Sequence, residues 1–189
     1  MAIEYEVKLA GERAALLAAL DRIGAAPRGE RLLEDDLVLD RAGDELATSG
    51  RLLRLRRRGE EFLLTFKGPY EQGLGVKARP EVQTPVADGA AMRSLLEELG
   101  YRVALRYQKY RTLYRCPLSG CEGVALSLDE TPIGDFLELE GDPEQIHRCA
   151  AALGFSRRAY ETRSYLEIYR SRGGTGDMLF DGAADGRRR

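Results

Sequence analysis

Charged residues recur at alternate positions along several short segments, and their signs are sorted by segment. Glu4, Glu6 and Lys8 share one face of the opening stretch. Arg54 and Arg56 follow, then Thr65 and Lys67, then Lys77, Arg79 and Glu81. Lys109 with Arg111, then Asp129, then Glu138 with Glu140 complete the series. The middle segments are almost purely basic and the first and last mainly acidic. Like charges ~4 Å apart repel by ~4 kcal/mol at an effective dielectric of about 20. Basic groups gathered in one place therefore demand a polyanion. Gathered carboxylates demand hard divalent cations, which bind oxygen and complete their shells with phosphate oxygens. A triphosphate chelated by Mg2+ or Mn2+ satisfies both demands.

A period of two is the signature of strands. It runs through Ile3 to Leu9, Leu33 to Asp40, Leu52 to Arg58, Phe62 to Lys67, Val76 to Val82, Arg102 to Arg115, Val124 to Glu130 and Asp135 to Glu140. Pro80 marks an edge, bulge or bend in its strand. Helices are expected over Gly11 to Ile23, with Leu16, Leu17, Leu20 and Ile23 as the apolar stripe, and over Asp88 to Leu99, with Met92, Leu95, Leu96 and Leu99 inward. A third runs from the Asp142-Pro143 cap to Leu153. Glu71 to Gly75 reads as a loop, and Glu161 to Arg170 fits a strand or a helix. From Gly173 the Gly, Asp and Arg content reads as a disordered tail. Short loops make most pairings antiparallel. The expectation is an α+β fold: a closed antiparallel β-barrel of about eight strands with helices packed outside.

Two arrangements of such a barrel are open. The charges could face water while leucines fill the middle, as in any half-solvated sheet. Alternatively the apolar faces (Leu53, Leu55, Leu64, Phe66, Val76, Val82, Leu126, Leu128, Leu137, Leu139) could meet the helices while the charges line the interior. The helices carry apolar stripes that need an apolar outer wall, and a face tuned only for solubility would mix signs within each strand. Both points favour the second arrangement.

The 189 residues carry 29 Lys+Arg against 31 Asp+Glu, a net charge of −2 that offers no general footprint for nucleic acid. No apolar run is long enough to span a bilayer, and Met1-Ala2-Ile3-Glu4 is no basic-then-apolar leader, so a cytoplasmic location without membrane partners is expected. Cys116, Cys121 and Cys149 read as reduced thiols. Cys116 and Cys121 have no second Cys or His pair in range, so a four-ligand zinc site is not expected. The single histidine, His147, argues against a Ser-His-Asp mechanism.

The ordered pieces resemble one family. Glu4-Tyr5-Glu6-Val7-Lys8 is similar to the Glu-x-Glu-x-Lys signature of CYTH domains, also called triphosphate tunnel metalloenzymes. Asp36, Leu53-Arg54-Leu55-Arg56, Thr65-Phe66-Lys67, Lys77-Ala78-Arg79-Pro80-Glu81, Lys109-Tyr110-Arg111, Leu128-Asp129-Glu130-Thr131-Pro132-Ile133-Gly134, Glu138-Leu139-Glu140 and Arg163-Ser164-Tyr165 follow in order. The resemblance implies a tunnel domain over residues 1–172, with Glu4, Glu6, Glu138 and Glu140 as ligands of Mg2+ or Mn2+. Arg54, Arg56, Lys67, Lys77, Arg79, Lys109 and Arg111 would hold phosphates. Asp129 would ligate metal or orient the reacting group, and Lys8 and Lys67 would assist the chemistry. Gln83 stands where the family often has an acid. The Asp129 to Gly134 turn and Ser164-Tyr165 look most like class IV adenylyl cyclases, which convert ATP to cyclic AMP and pyrophosphate. Hydrolysis of inorganic, thiamine or nucleoside triphosphate is the alternative, and a non-catalytic polyphosphate-binding module a second. The implied partners are a small-molecule triphosphate and, as in many members, a second copy of the chain. Tyr107, Tyr110 and Phe136 are the candidates for stacking on a base.

Overall fold

The opening strand, β1 (Ala2–Gly11), pairs along both of its edges, and that double pairing closes the sheet. The computed structural model describes residues 2–70 and 75–181. The other barrel strands are β3 (Leu32–Asp40), β4 (Leu52–Arg58), β5 (Glu61–Lys67), β6 (Lys77–Val86), β7 (Arg102–Arg115), β8 (Ala125–Thr131) and β9 (Gly134–Glu140). They neighbour one another in the order β1-β6-β5-β4-β3-β7-β8-β9 and back to β1, every contact antiparallel. Two short strands, β2 (Ala26–Pro27) and β10 (Tyr160–Glu161), extend β7 and β1. The eight-stranded closed barrel expected from the periodicity is the observed one.

Register decides which side chains become neighbours. Glu4 lies opposite Arg79 and Glu6 opposite Lys77 on β6, while Glu6 and Lys8 lie opposite Glu140 and Glu138 on β9. Asp36 faces Arg56, Glu34 faces Lys109, and Arg111 faces Asp129. In a pleated sheet, directly opposed residues share a face with Cβ atoms about 5 Å apart. Charged rows from all eight strands thus point to the same side, the inside.

The leucines between them face outward and need cover. Val7, Leu9, Leu126, Leu128, Leu137 and Leu139 are buried under α1 (Arg13–Arg22) and α4 (Pro143–Ala152), whose Leu16, Leu20, Ile146 and Ala150 meet them. Leu39, Leu53 and Leu55 are covered by Leu46 of α2 (Glu45–Thr48) and Leu96 of α3 (Gly89–Glu98). The Asp142 side chain accepts hydrogen bonds from the Glu144 and Gln145 amides, with Pro143 starting α4 as the sequence indicates.

Four expectations change. Leu17 is 39% exposed, and on α3 Leu95 and Leu99 are 53% and 58% exposed, so Leu96 alone of that stripe is buried. A short helix over a curved wall touches it along one line, which leaves the margins of a four-residue stripe in water. The strand containing Pro80 continues to Val86 through Pro85; β6 pairs with β1 up to Glu81 and with β5 from there on, so each proline lies where one partner is missing. The ambiguous stretch splits into β10 and α5 (Tyr165–Ser171), the helix set by a capping box between Ser164 and Glu167. Finally, the disordered tail expected from Gly173 is corrected as far as Asp181. The Gln108 amide donates to Met178 O at 2.9 Å, the Met178 amide donates to Arg106 O at 3.0 Å, and Phe180 packs on Tyr110. β8 begins its pairing with β7 only at Tyr110, so this segment satisfies an edge that would otherwise stand open. The remainder of that tail, and most of the loop expected over Glu71 to Gly75, lie outside the described residues. Among the described residues no helix is long and apolar enough to cross a membrane.

Because Leu137 is fully buried between β9 and the helices while Leu95 is half exposed, Leu137→Ala should cost about 2–5 kcal/mol and Leu95→Ala less than about 1 kcal/mol. Guanidinium denaturation of both variants measures this. Equal costs would contradict an apolar layer lying outside the barrel.

Candidate functional site

The barrel encloses a cavity of about 230 Å³, open to solvent, whose wall is ionic. Among the described residues nine basic side chains line it (Lys8, Arg54, Arg56, Arg58, Lys67, Lys77, Arg79, Lys109, Arg111) against six acids (Glu4, Glu6, Glu34, Glu81, Glu138, Glu140). That excess of positive charge suits an anion.

The cations are held in place from behind. Arg56 makes a bidentate pair with Asp36 at 2.7 and 2.8 Å and reaches Glu34 at 2.7 Å. Lys109 donates to Asp129 at 2.8 Å, and Arg111 donates to the same carboxylate at 2.6 Å and to Glu138. The Tyr165 hydroxyl, delivered by α5, donates to Asp129 at 2.7 Å. Burial and then the Asp129 charge push that phenol well above its ordinary range, so it stays a donor. Arg54 donates to the Tyr107 hydroxyl at 3.2 Å, yet its Nε has no hydrogen-bond partner among the described residues. A buried guanidinium N–H left without an acceptor on the wall of a cavity is a place for a ligand oxygen.

The other side of the lumen is acidic and crowded. Glu6 accepts from Lys8 and from Lys77, both at 2.7 Å; Lys67 bridges Glu4 and Glu81, each at 2.7 Å. Burial disfavours the Glu6 carboxylate, but Lys8 and Lys77 outweigh it and hold the group well below its usual value. Burial pushes Glu4 up to about 8 against the pull of Lys67, and burial followed by the Glu138 charge pushes Glu140 up as well. Burial together with repulsion from Lys8 brings Lys77 down to about 8. Glu140 makes no ion pair among the described residues. The donor set Glu4, Glu6, Glu138 and Glu140 is all oxygen, sits on two adjacent strands, and is short of positive charge at one member. Its donor chemistry suits a hard divalent cation of the Mg2+ or Mn2+ kind, while among the described residues no three of these carboxylates converge within 4.8 Å.

Of the residues singled out in the sequence, Glu4, Glu6, Lys8, Arg54, Arg56, Lys67, Lys77, Arg79, Lys109, Arg111, Glu138 and Glu140 all border the cavity. Asp129 does not: it is fully buried one layer back, against Lys109, Arg111 and Tyr165. Of the stacking candidates Tyr107 lines the lumen, whereas Tyr110 lies outside between Arg31 and Phe180, and Phe136 is sealed against Tyr165. Glu34, Glu81, Gln83, Ser164 and Tyr165 also line the cavity, beyond the site residues expected from the sequence. Glu34 was legible, since it has the same strand parity as Asp36. The capping box at Ser164 announces the helix that brings Tyr165 in, but not where that helix docks.

A closed antiparallel barrel with its ions inside and its leucines outside is the architecture of a charge-lined tunnel. The CYTH domain model matches residues 2–165, and the chain belongs to that family. Among solved structures it is similar to a candidate adenylate cyclase from Vibrio parahaemolyticus (24% identity, 89% of this chain and 98% of that one, TM-score 0.75). It is also similar to a protein from Pyrococcus horikoshii (24%, 89% and 99%, TM-score 0.72). A third is a candidate adenylyl cyclase from Hippeastrum with a dominant triphosphatase activity (22%, 93% and 97%, TM-score 0.66). At these identities the likeness is one of fold. No curated protein matches the chain.

Asp36 gives the site a measurable acid dependence. Burial opposes its ionisation, but Arg56 and then Arg54 outweigh that and hold the carboxyl well below its ordinary value. An unfolded chain binds that proton near pH ~3.9, so the stabilisation is complete above this pH and is lost as pH falls further toward the folded value. Asp36→Asn should cost about 3 kcal/mol at neutral pH, the low end for stranding a buried ion because Glu34 still partners Arg56. It should also flatten the fall in stability below pH ~4. Urea denaturation across pH measures both, and an unaltered acid limb would contradict the pairing.

Proposed function

We propose that this chain is a metal-dependent enzyme acting on a triphosphate, of the class IV adenylyl cyclase kind, converting ATP to cyclic AMP and pyrophosphate. The observation that carries the reading is the lumen itself: a surplus of pre-oriented cations, two of them (Arg54 and Arg58) with an unsatisfied N–H among the described residues, facing an all-oxygen acidic set across a cavity of about 230 Å³. Arg54, Arg56, Lys109 and Arg111 hold the phosphate chain, with Arg79, Lys77 and Lys67 along the neighbouring wall. Lys109 and Arg111 keep their aim because Asp129 and Tyr165 fix them from behind; Asp129 is a positioning residue. Lys8, between Glu6 and Glu138, keeps those two acids together.

Glu4, Glu6, Glu138 and Glu140 would hold Mg2+ or Mn2+, which when bound neutralises phosphate charge and makes a nearby hydroxyl more acidic. In the cyclase reaction the ribose 3′-oxygen bonds to the α-phosphorus, its proton passes to solvent, and the bond from that phosphorus to the bridging oxygen breaks. Pyrophosphate leaves against the arginines and lysines, which stabilise the charge it gains.

Hydrolysis in the same lumen is the second reading. It is favoured by the dominant triphosphatase activity of the Hippeastrum relative and by the presence of few aromatic side chains on the wall to grip a base. Water replaces the 3′-oxygen, and the phosphate-holding residues are unchanged.

Chromatography of products from ATP and from inorganic triphosphate, run with Mg2+ and with Mn2+, separates the readings. Cyclic AMP with pyrophosphate supports the first, and ADP with phosphate, or turnover of inorganic triphosphate alone, supports the second. Glu138→Gln should lower kcat/KM at least ~10²-fold and, because Arg111 and Lys8 lose a buried partner, lower the melting temperature as well. Consumption of neither substrate with either metal would overturn both readings.

A further inference from the structure

Outside the barrel, on the face of α4, two neighbouring cysteines and a third from a distant part of the sequence converge. Cys116 follows β7, Cys121 lies in the β7–β8 loop, and Cys149 is in the middle of α4; their sulfurs all lie within 4.8 Å of one another. The Cys116 and Cys149 sulfurs are 3.9 Å apart. All three thiols are free, Cys121 and Cys149 are fully buried, and Cys116 is half-buried at the mouth of the cluster. Pairing Cys116 with Cys121 alone argued against a metal; α4 supplies the third sulfur that the spacing could not reveal.

We propose that Cys116, Cys121 and Cys149 form a binding site for one thiophilic divalent cation of the Zn2+ or Cd2+ class, which clamps the β7–β8 loop to α4. The geometry suits that class. A metal–sulfur bond of about 2.3 Å places ligand sulfurs ~3.8 Å apart in a tetrahedron and ~4.0 Å apart in a trigonal plane. The 3.9 Å separation falls between these values. Thiolate sulfur selects soft cations over Mg2+ or Mn2+, so the cluster and the barrel carboxylates do not compete for one ion. Charge also balances. Three thiolates and a divalent cation leave one negative charge; burial pushes the Cys121 and Cys149 thiols up, with the Arg148 guanidinium, which lies against Gly120 beside the loop, pulling Cys121 the other way, so the cation itself must displace the protons. Binding replaces three S–H bonds by three metal–sulfur bonds and releases three protons, with no change of oxidation state. The half-buried Cys116 side gives the ion its entry and leaves room for water as a fourth ligand.

The loop is already shaped for the task. The Cys121 amide donates to Leu118 O at 3.1 Å, the Gly123 amide donates to the Gln145 side chain at 3.0 Å, and Gly120 takes the left-handed backbone that the turn needs (φ +77°). α4 packs on β1 and β9, the strands that carry Glu4, Glu6, Glu138 and Glu140. The ion would therefore brace the wall behind the acidic side of the lumen without touching it.

The test uses the full chain, reduced, treated with chelator, and titrated with Cd2+ in excess Mg2+ so that the barrel acids are occupied. A sulfur-to-cadmium charge-transfer band in the ultraviolet should saturate at one Cd2+ per chain, and excess Zn2+ should remove it. With free metal 100-fold above Kd, the melting temperature should rise by about 5–10 °C. Cys116→Ser, at the half-buried position, should keep the fold, lose about a third of the band and weaken Cd2+ at least ~10-fold. Glu138→Gln should leave the band intact. Absence of the band, or a band indifferent to Cys116→Ser, would overturn the proposal. So would alkylation mass spectrometry showing a Cys116–Cys149 disulfide that persists under reductant, which would make those two cysteines a structural cross-link with no thiolates left to bind metal.

Discussion

Buried charge has to be paired before any ligand arrives, and this requirement organises the whole molecule. An ion taken out of water without a partner costs several kcal/mol. Lys8, Arg56, Lys109 and Asp129 are nonetheless almost fully enclosed. The strand register supplies the partners by setting Asp36 opposite Arg56, Glu34 opposite Lys109 and Asp129 opposite Arg111. The barrel is stable as a set of interlocked ion pairs, and the same pairs hold the cations at fixed positions. On the proposed reading, a phosphate entering the lumen would meet donors already oriented and paired, and would exchange one acceptor for another instead of ordering a free cation.

Placing the ions inside obliges the leucines to face out, and this in turn calls for the helices. α1 and α4 cover β1, β8 and β9, α2 and α3 cover β3 and β4, and α5 carries Tyr165 onto the lumen while Ile168 packs with Leu105 and Phe136 at one end. Among the described residues the largest buried apolar cluster lies under α1 and α4, behind the strands with the acidic set. The cysteine cluster at the edge of that layer gives the same region a second means of reinforcement.

Much of this was legible in the sequence because strand alternation is a local property. Glu4, Glu6 and Lys8 must share a face whatever the tertiary structure, and the sorting of signs by segment indicated that the faces meet. What escaped depends on contacts between remote segments. Leu95 and Leu99 read as core because a helical stripe says nothing about the curvature of the wall beneath it. Asp129 read as a metal ligand or as orienting the reacting group, because its strand position does not reveal the two cations, Lys109 and Arg111, that lie against it. The segment around Met178 read as tail because composition cannot show that β7 has an unpaired edge, and Cys149 reaches Cys116 only after α4 docks.

The central claim is that the inward charges of the eight strands form one receptacle for a triphosphate and its divalent cation. A crystal structure with Mn2+ and a non-hydrolysable triphosphate analogue tests it directly, since the anomalous signal of manganese locates the ion independently of the phosphates. The expected result is manganese beside Glu6, Glu138 and Glu140, with phosphate oxygens within hydrogen-bonding reach of Arg54 and Lys109. Manganese or triphosphate bound only on the outer surface of a barrel whose lumen stays empty of both would contradict it.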